Sequence, residues 1–465
     1  MCLLRKAGKE ACILGQGILK IMKIQLPEAV RTIINELNRA GYEAYAVGGC
    51  VRDALLGRQP QDWDITTSAK PMQVKEVFKR TLDTGIQHGT VTVMIDHVGY
   101  EVTTYRIDGE YEDCRHPKEV SYTSNLLEDL KRRDFTINAM AYNEQTGLVD
   151  EFEGIHDLSL GLIRCVGAPE ERFTEDALRM LRALRFAAQL GFTIEEQTVQ
   201  AIRKLSGNLR YVSAERIQTE LTKLLVSAHP EMMEMVYTTG MSAVILPEWD
   251  VMMQTMQHNP HHCYSVGMHT VHVLQNVPSD KILRYAALLH DVAKPECRTT
   301  DEEGIDHFYG HPEKGAFVAR RILRRLKMDN ATTDTVCNLV RYHDRNPELT
   351  KKSVRRMVAG IGRQYYPQLF QLKRADILAQ STFQQTQKLE ALARYEQLYQ
   401  EIIADSECLS LKELAVTGTD LIEAGMKPGK EIGAVLQKLL ELVIEDPQKN
   451  TKEYLIGYTL ENLFI

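Results

Sequence analysis

The strand-forming signal in this chain is confined to one early stretch, and that asymmetry limits the folds open to it. Residues 43–47, 63–66, 90–95 and 100–105 are short alternating or β-branched runs bounded by Gly, Pro or Asp. Helical spacing separates them, as over residues 72–80. After about residue 155 the period-2 signal nearly vanishes, and apolar residues recur at helical spacing to the C-terminus. Pro169, Pro230, Pro247, Pro260, Pro278, Pro312, Pro347 and Pro367 punctuate those helices. The expected fold is α+β: one small mixed head followed by a long all-helical body. At 465 residues the chain exceeds what one core serves. We expect a head over 22–145, a helical neck over 146–235, a His-rich helical domain over 236–350 and a helical tail over 351–465. Residues 1–21 read as an N-terminal extension, because Met22 opens the first helix-like stretch.

Composition removes several classes. No apolar stretch approaches the ~20 residues that span a bilayer, and residues 1–22 lack the unbroken apolar core of a secretory signal. No membrane partner is expected. The nine cysteines occur singly, without a C-x-x-C pair, which points away from a zinc knuckle or a disulfide framework and towards a reducing cytoplasm. A net charge of −7 argues against non-specific nucleic-acid binding over the whole surface, although a basic groove can coexist with an acidic remainder. Two basic runs stand out, Lys131-Arg132-Arg133 and Arg320-Arg321 with Arg324-Arg325-Leu326-Lys327; taken alone, each reads as a solvated helix face.

Gly48-Gly49 lies between a strand and a helix. Backbone N–H groups can approach an anion there, and the helix N-terminus adds a favourable dipole, so triphosphate binding is open; by itself such a pair is more often a tight turn. Asp62 and Asp64 follow at i and i+2, a spacing that turns both carboxylates to one face of a strand. Hard oxygen ligands suit Mg²⁺, which bridges nucleotide phosphates and activates a 3′-hydroxyl in two-metal displacement. A solvent-facing acidic pair on an edge strand is the plain alternative. Glu101, on another strand, is placed to complete the cage, though alone it reads more often as a surface residue.

Longer words narrow the reading. Gly48-Gly-Cys-Val-Arg-Asp53, Arg132-Arg-Asp-Phe-Thr-Ile-Asn-Ala139, Glu175-Asp-Ala-Leu-Arg179 and Ala214-Glu-Arg-Ile217 stand in order over about 170 residues. With Asp62 and Asp64 they resemble the polymerase-β-type nucleotidyltransferases, and within them the class II tRNA nucleotidyltransferases and bacterial poly(A) polymerases. Gly418-Thr-Asp-Leu421 and Pro428-Gly-Lys-Glu-Ile-Gly433 extend the resemblance into the tail. It implies a polymerase-β-like head that adds CCA to tRNA from CTP and ATP without a template. Asp62, Asp64 and Glu101 would be catalytic, with Mg²⁺ on the aspartates. Gly48, Gly49 and Arg52 would bind the triphosphate, Arg133 and Asp134 would lie near the sugar, and Arg182 and Arg185 would join the nucleotide site. CC-adding, A-adding and poly(A) synthesis are the alternatives within the family.

Asp176 and Arg179 lie at i and i+3 of an expected helix, hence on one face. Cytosine and adenine both present an amine donor beside a ring-nitrogen acceptor, which a carboxylate and a guanidinium match; guanine and uracil invert that pattern. Spacing alone favours an ordinary helix salt bridge, worth a few tenths of a kcal/mol; the resemblance favours base selection. The polar segment from Asp108 to Pro117 reads as a mobile loop, similar to that of enzymes adding the terminal A.

In the His-rich domain, Met268-His269-Thr270, Leu289-His290-Asp291, Lys294, Gly310-His311-Pro312 and Tyr342-His343-Asp344 resemble the HD metal-dependent phosphohydrolases. That resemblance implies a divalent metal on His269, His290, Asp291 and Asp344, a second one supported by His311 and His343, and hydrolysis of RNA ends or cyclic nucleotides as an alternative activity. Imidazole with carboxylate suits Mn²⁺, Ni²⁺, Co²⁺ or Zn²⁺ as well as Mg²⁺. His258, His261 and His262 fall outside the pattern and read as surface residues.

Overall fold

The computed structural model describes residues 23–109, 120–261 and 263–462. The expectations for residues 1–21, His262 and most of the segment from Asp108 to Pro117 lie outside the described residues. The chain divides into two compact units after Pro247.

The first unit begins with α1 (Glu28–Arg39), whose buried Val30, Ile33, Ile34 and Leu37 repeat at helical spacing. Its apolar stripe packs on a seven-stranded sheet built from β1 (Ala44–Val47), β2 (Ile65–Thr67), β3 (Thr81–Gly85), β4 (Thr90–Ile95), β5 (Val98–Thr104) and the hairpin of Ala141–Asn143 with Gly147–Val149. The spatial order is β3-β4-β5-β2-β1, then that hairpin. Within this sheet, among the described residues, only the β2–β5 pair is parallel. β1 lies inside the sheet and buries all four of its residues, which explains its continuous apolar run. The hairpin carries the sheet past residue 145.

From β1 the chain turns directly into α2 (Gly49–Leu55). Beyond the sheet follow α3 (Pro169–Glu175), α4 (Leu178–Leu190) and α5 (Ala214–Leu225). α4 buries nine of its thirteen residues, including Arg185, and packs against α5. Among its described residues, the second unit is helical apart from a two-stranded piece at residues 299–307. Its helices α6 (Val266–Asn276), α7 (Lys281–Leu289), α8 (His311–Arg325), α9 (Asn330–Tyr342), α10 (Lys351–Ile361) and α11 (Tyr366–Ala379) are followed by two long ones, α12 (Gln385–Ala404) and α13 (Glu431–Glu445). Among the described residues, no helix is long and apolar enough to cross a membrane.

Candidate active site

Gly48 joins β1 to α2 with φ 83° and ψ −132°, a region essentially closed to residues bearing a Cβ. Its N–H donates to the Met140 carbonyl at 3.1 Å. A Cβ at this position would stand 2.9 Å from Arg133 Nη1, so the missing side chain lets the guanidinium lie over the turn. Gly49 is less constrained: a Cβ there would meet Arg52 Nη2 at 3.6 Å, an ordinary contact.

Asp62 and Asp64 occupy the extended run just before β2 rather than the strand itself, which begins at Ile65. Their alternation survives because the Val47 N–H donates to the Asp64 carbonyl at 3.0 Å, carrying the ladder one residue further. Ile65 is buried and pairs in parallel with Val102 of β5. Period-2 geometry then turns Asp64 and Glu101 together to the opposite face, with Asp62 on the same side. Crowding by surrounding protein raises the Asp64 carboxyl above its ordinary value; Arg133 opposes the rise and Asp62 adds to it. Partial desolvation, then the charges of Asp64 and Asp62, raise Glu101. Carboxylates that raise one another favour a multivalent cation, so this donor set fits a divalent metal.

Arg133 is held from below. Its Nη2 lies 3.4 Å from Asp129 Oδ2, and its buried Nε has no hydrogen-bond partner among the described residues. Asp129 is fully buried and also accepts from Arg132 Nε and Nη2 (3.0 and 2.8 Å) and from Thr66 Oγ1 (3.1 Å). Burial alone would raise the Asp129 carboxyl, but Arg132 and Arg133 hold it below its ordinary value. Next in sequence, Asp134 has both oxygens engaged. Oδ1 accepts from Phe135 N and Asn138 Nδ2 (2.9 and 3.1 Å), and Oδ2 from Arg182 Nε (2.8 Å). As placed, Asp134 anchors Arg182. Arg52 donates from Nε to Asp53 Oδ1 (2.9 Å) and from Nη1 to Asn138 Oδ1 (2.7 Å). Arg185 Nε donates to Glu220 Oε2 (2.6 Å). The guanidinium carbons of Arg52, Arg182 and Arg185 lie 5.0, 5.3 and 3.7 Å from the Phe186 ring centroid, so one aromatic ring gathers three expected nucleotide-site cations.

The expectation that Asp176 and Arg179 share one helix is corrected. α3 ends at Glu175, Asp176 is extended (φ −144°, ψ 102°), and Arg179 belongs to α4. Aspartate competes with the backbone through its own side chain, and here Oδ1 accepts the Leu178 N–H at 3.1 Å, starting the next helix. The Arg179 N–H donates to the Asp176 carbonyl at 3.0 Å, but their side chains do not pair with each other. Asp176 accepts two bonds from Arg216, at 3.3 and 2.7 Å. Arg179 donates to Glu175 Oε2 (2.6 Å) and to the Arg132 carbonyl (2.9 Å), which ties this turn to the segment bearing Arg133 and Asp134.

A second cluster lies in the C-terminal unit. His269 on α6, His290 and Asp291 just after α7, His311 opening α8 and His343 just after α9 are all buried. Ligand atoms of His269, His290 and Asp291 lie within 4.8 Å of one another, as do those of Asp291, His311 and His343. The Nδ1 atoms of His290, His311 and His343 face the carbonyls of Ala287, Phe308 and Val340 at 2.7–2.8 Å. A proton on each Nδ1 leaves each Nε2 lone pair directed inward. His290 Nε2 and both Asp291 oxygens are buried without a hydrogen-bond partner, although Lys294 Nζ is 2.7 Å from Asp291 Oδ2. Inward-facing, unsatisfied imidazole and carboxylate donors fit a divalent metal. Asp344, expected as a ligand, is exposed and outside the cluster, because α9 ends at Tyr342 and the adjacent turn points His343 and Asp344 apart. The carboxylate that approaches the cluster instead is Asp376 of α11, with Oδ1 2.9 Å from His269 Nε2 and 4.0 Å from His290 Nε2.

Three family models match the chain: "Poly A polymerase head domain" over residues 44–164, "Probable RNA and SrmB- binding site of polymerase A" over 191–253, and "tRNA nucleotidyltransferase domain 2 putative" over 313–458. The CCA-adding enzyme of Lactobacillus helveticus (strain DPC 4571) is 36% identical over 434 residues, covering 93% of this chain and 96% of that one. This chain belongs to the CCA-adding enzyme family. The CCA-adding enzyme of Lactiplantibacillus plantarum is 53% identical over 209 residues, 44% of this chain and 51% of its own length. Among solved structures, the Bacillus stearothermophilus CCA-adding enzyme in complex with CTP covers 95% of this chain and 98% of its own, at 29% identity and a TM-score of 0.71. The Thermotoga maritima CCA-adding enzyme complexed with tRNA shares the fold, at 21% identity and a TM-score of 0.60. Use of a divalent metal comes with this nucleotidyltransferase family.

Three residues of this CCA-adding family member escaped the sequence reading. Asp129 carried a local signal, standing i−3 and i−4 from Arg132 and Arg133. Arg216 sat inside the Ala-Glu-Arg-Ile word, but without a visible partner. Asp376 carried no local signal, since it reaches the cluster only through the packing of α11 on α6.

Proposed function

We infer that this chain completes the 3′ end of tRNA, adding C, C and A from CTP and ATP without a template, in the cytoplasm. The observation that carries this is the convergence of Asp62, Asp64 and Glu101 on one face beside Gly48 and Arg133, in a chain of this family.

The head residues divide the task. Asp62 and Asp64, with Glu101 beside them, would hold Mg²⁺. When bound, that ion stabilises the triphosphate charge and makes the attacking 3′-hydroxyl of the tRNA more acidic. The bare turn at Gly48 lets the triphosphate approach the backbone, and Arg133, braced by Asp129, adds positive charge above it. Bond formation runs from the tRNA 3′-oxygen to the α-phosphorus of CTP or ATP, and pyrophosphate leaves. Asp176 and Arg179 select the base. Arg216 fixes the Asp176 carboxylate, which has about four acceptor sites and so retains capacity for the amine of C or A. Arg179, oriented by Glu175 and the Arg132 carbonyl, supplies the donor for the ring nitrogen. Guanine and uracil would leave both groups mispaired. The deciding assay incubates tRNA lacking CCA with CTP, ATP or both and reads product lengths on a gel. Stepwise growth by three nucleotides with both substrates supports the reading; growth by A alone, by CC alone or by long A tracts replaces it with one of the narrower family activities.

A second activity is favoured by the orphaned donors of the C-terminal unit. His269, His290, Asp291 and Asp376, with His311 and His343 alongside, would bind divalent metal and support hydrolysis of a phosphate ester, Lys294 offering a cation beside Asp291.

A further inference from the structure

The basic run at residues 320–327 remains unexplained by either site. It lies on α8, which carries Lys314, Arg320, Arg321, Arg324 and Arg325 against one acid, Glu313, in a chain whose net charge is −7. α8 buries Ala316, Ala319, Ile322 and Leu323 and leaves Phe317 71% exposed. At 100° per residue, Arg320, Arg321 and Arg324 fall within about 60° of Phe317, so the aromatic ring stands inside a cationic stripe. On the neighbouring α9, Asp334, Cys337, Asn338 and Arg341 repeat at i, i+3, i+4 and i+7 and face the same space. Tyr342, Gly360 and Tyr365 close a groove of about 350 Å³. That is the low end of the roughly 300–1,000 Å³ usual for small-ligand sites. Arg320 is tied to Asp334 at 2.6 Å, whereas Arg341 makes no ion pair among the described residues. A Cβ on Gly360 would meet nothing within 4 Å, which leaves that wall open.

An exposed aromatic face, that of Phe317, amid unpaired arginine suits RNA better than a protein surface, since a base stacks on the ring while a phosphate meets the cation. Bases inside an A-form duplex are already stacked, so only an unpaired one can enter. We propose that this groove holds one unpaired nucleotide of the tRNA substrate, its base on Phe317 and its phosphate on Arg341. The inference rests on tRNA being the substrate, and it assigns the contact to a looped part of that molecule rather than to its acceptor duplex.

The test uses the full chain and two RNAs, tRNA lacking CCA and a blunt RNA duplex with the acceptor-stem sequence, at fixed salt. Phe317→Ala removes the stacking surface, Gly360→Trp fills the groove, and Arg341→Ala removes the cation. In the first two, tRNA affinity should weaken roughly 5- to 150-fold, the range for losing one base stack. Binding of the duplex and kcat at saturating tRNA should stay unchanged. Arg341→Ala should lower the salt dependence of tRNA binding by about one unit of slope, and Phe317→Ala should not. Wild-type tRNA affinity in both Phe317→Ala and Gly360→Trp overturns the groove, as does an equal loss for tRNA and duplex. Failure of the wild type to extend tRNA that it binds would sink the transferase reading but not the groove.

Discussion

Replacing Gly48 by Ala tests whether the turn works by leaving room for Arg133. Two costs can be read from the structure. At φ 83° and ψ −132° an alanine is held in a region that costs about 1–3 kcal/mol. For a unit of 247 residues, each kcal/mol lowers Tm by roughly 2–4 °C, so a fall of about 2–12 °C is expected. The new methyl would also stand 2.9 Å from Arg133 Nη1, closer than real contacts allow, so the guanidinium must move. Losing its charge-assisted contact with the nucleotide is worth about 1.5–3 kcal/mol, or roughly 10- to 150-fold in kcat/KM for CTP and for ATP. Gly49→Ala is the internal control. Its backbone is ordinary and its methyl would meet Arg52 Nη2 at 3.6 Å, so it should keep Tm and activity near wild type. The measurements are steady-state kinetics with tRNA lacking CCA and thermal unfolding of each variant. The reasoning fails if Gly48→Ala matches wild type in both, or if Gly49→Ala is as damaging.

Asp62→Ala and Asp64→Ala should each lose nucleotide incorporation by about 10³-fold or more while unfolding like wild type, because several kcal/mol of charge stabilisation depends on them; near-normal incorporation in both would remove the metal assignment. Asp176→Ala should relax the preference for C and A over G and U by roughly 5- to 150-fold, read as kcat/KM for all four nucleotides. An ordinary salt bridge to Arg216 predicts instead a small stability loss with the preference intact. In the C-terminal unit, Asp376→Asn and the double variant His290→Ala/Asp291→Ala should lose bound divalent metal by elemental analysis, whereas Asp344→Asn should retain it. Loss in Asp344→Asn with retention in Asp376→Asn would reverse the ligand assignment.

The sequence by itself determined the class of fold and most of the chemistry. Strand signals crowd into the head because a sheet strand needs only a few alternating residues, a pattern entirely local to the chain. Gly48-Gly49 and Asp62/Asp64 were legible for the same reason, since a turn and an i, i+2 pair are defined within neighbouring residues. β2 starts only at Ile65, yet the ladder continues through Asp64.

Tertiary structure decided which partner each charged side chain takes. Spacing put Asp176 and Arg179 on one helix face; an interruption of the helix at residue 176 separates them, and the aspartate pairs with Arg216, forty residues on. Asp134 takes Arg182 as its partner, a contact spanning 48 residues that no local pattern encodes. Adjacency in sequence made Asp344 look like a ligand beside His343, yet a helix end turns neighbouring side chains apart, and Asp376 reaches His269 across 107 residues through packing of α11. The physical reason is the same in each case. Periodicity fixes the direction of a side chain from its own element, whereas the group it meets is set by how elements pack, and that depends on buried apolar surface spread over the whole unit.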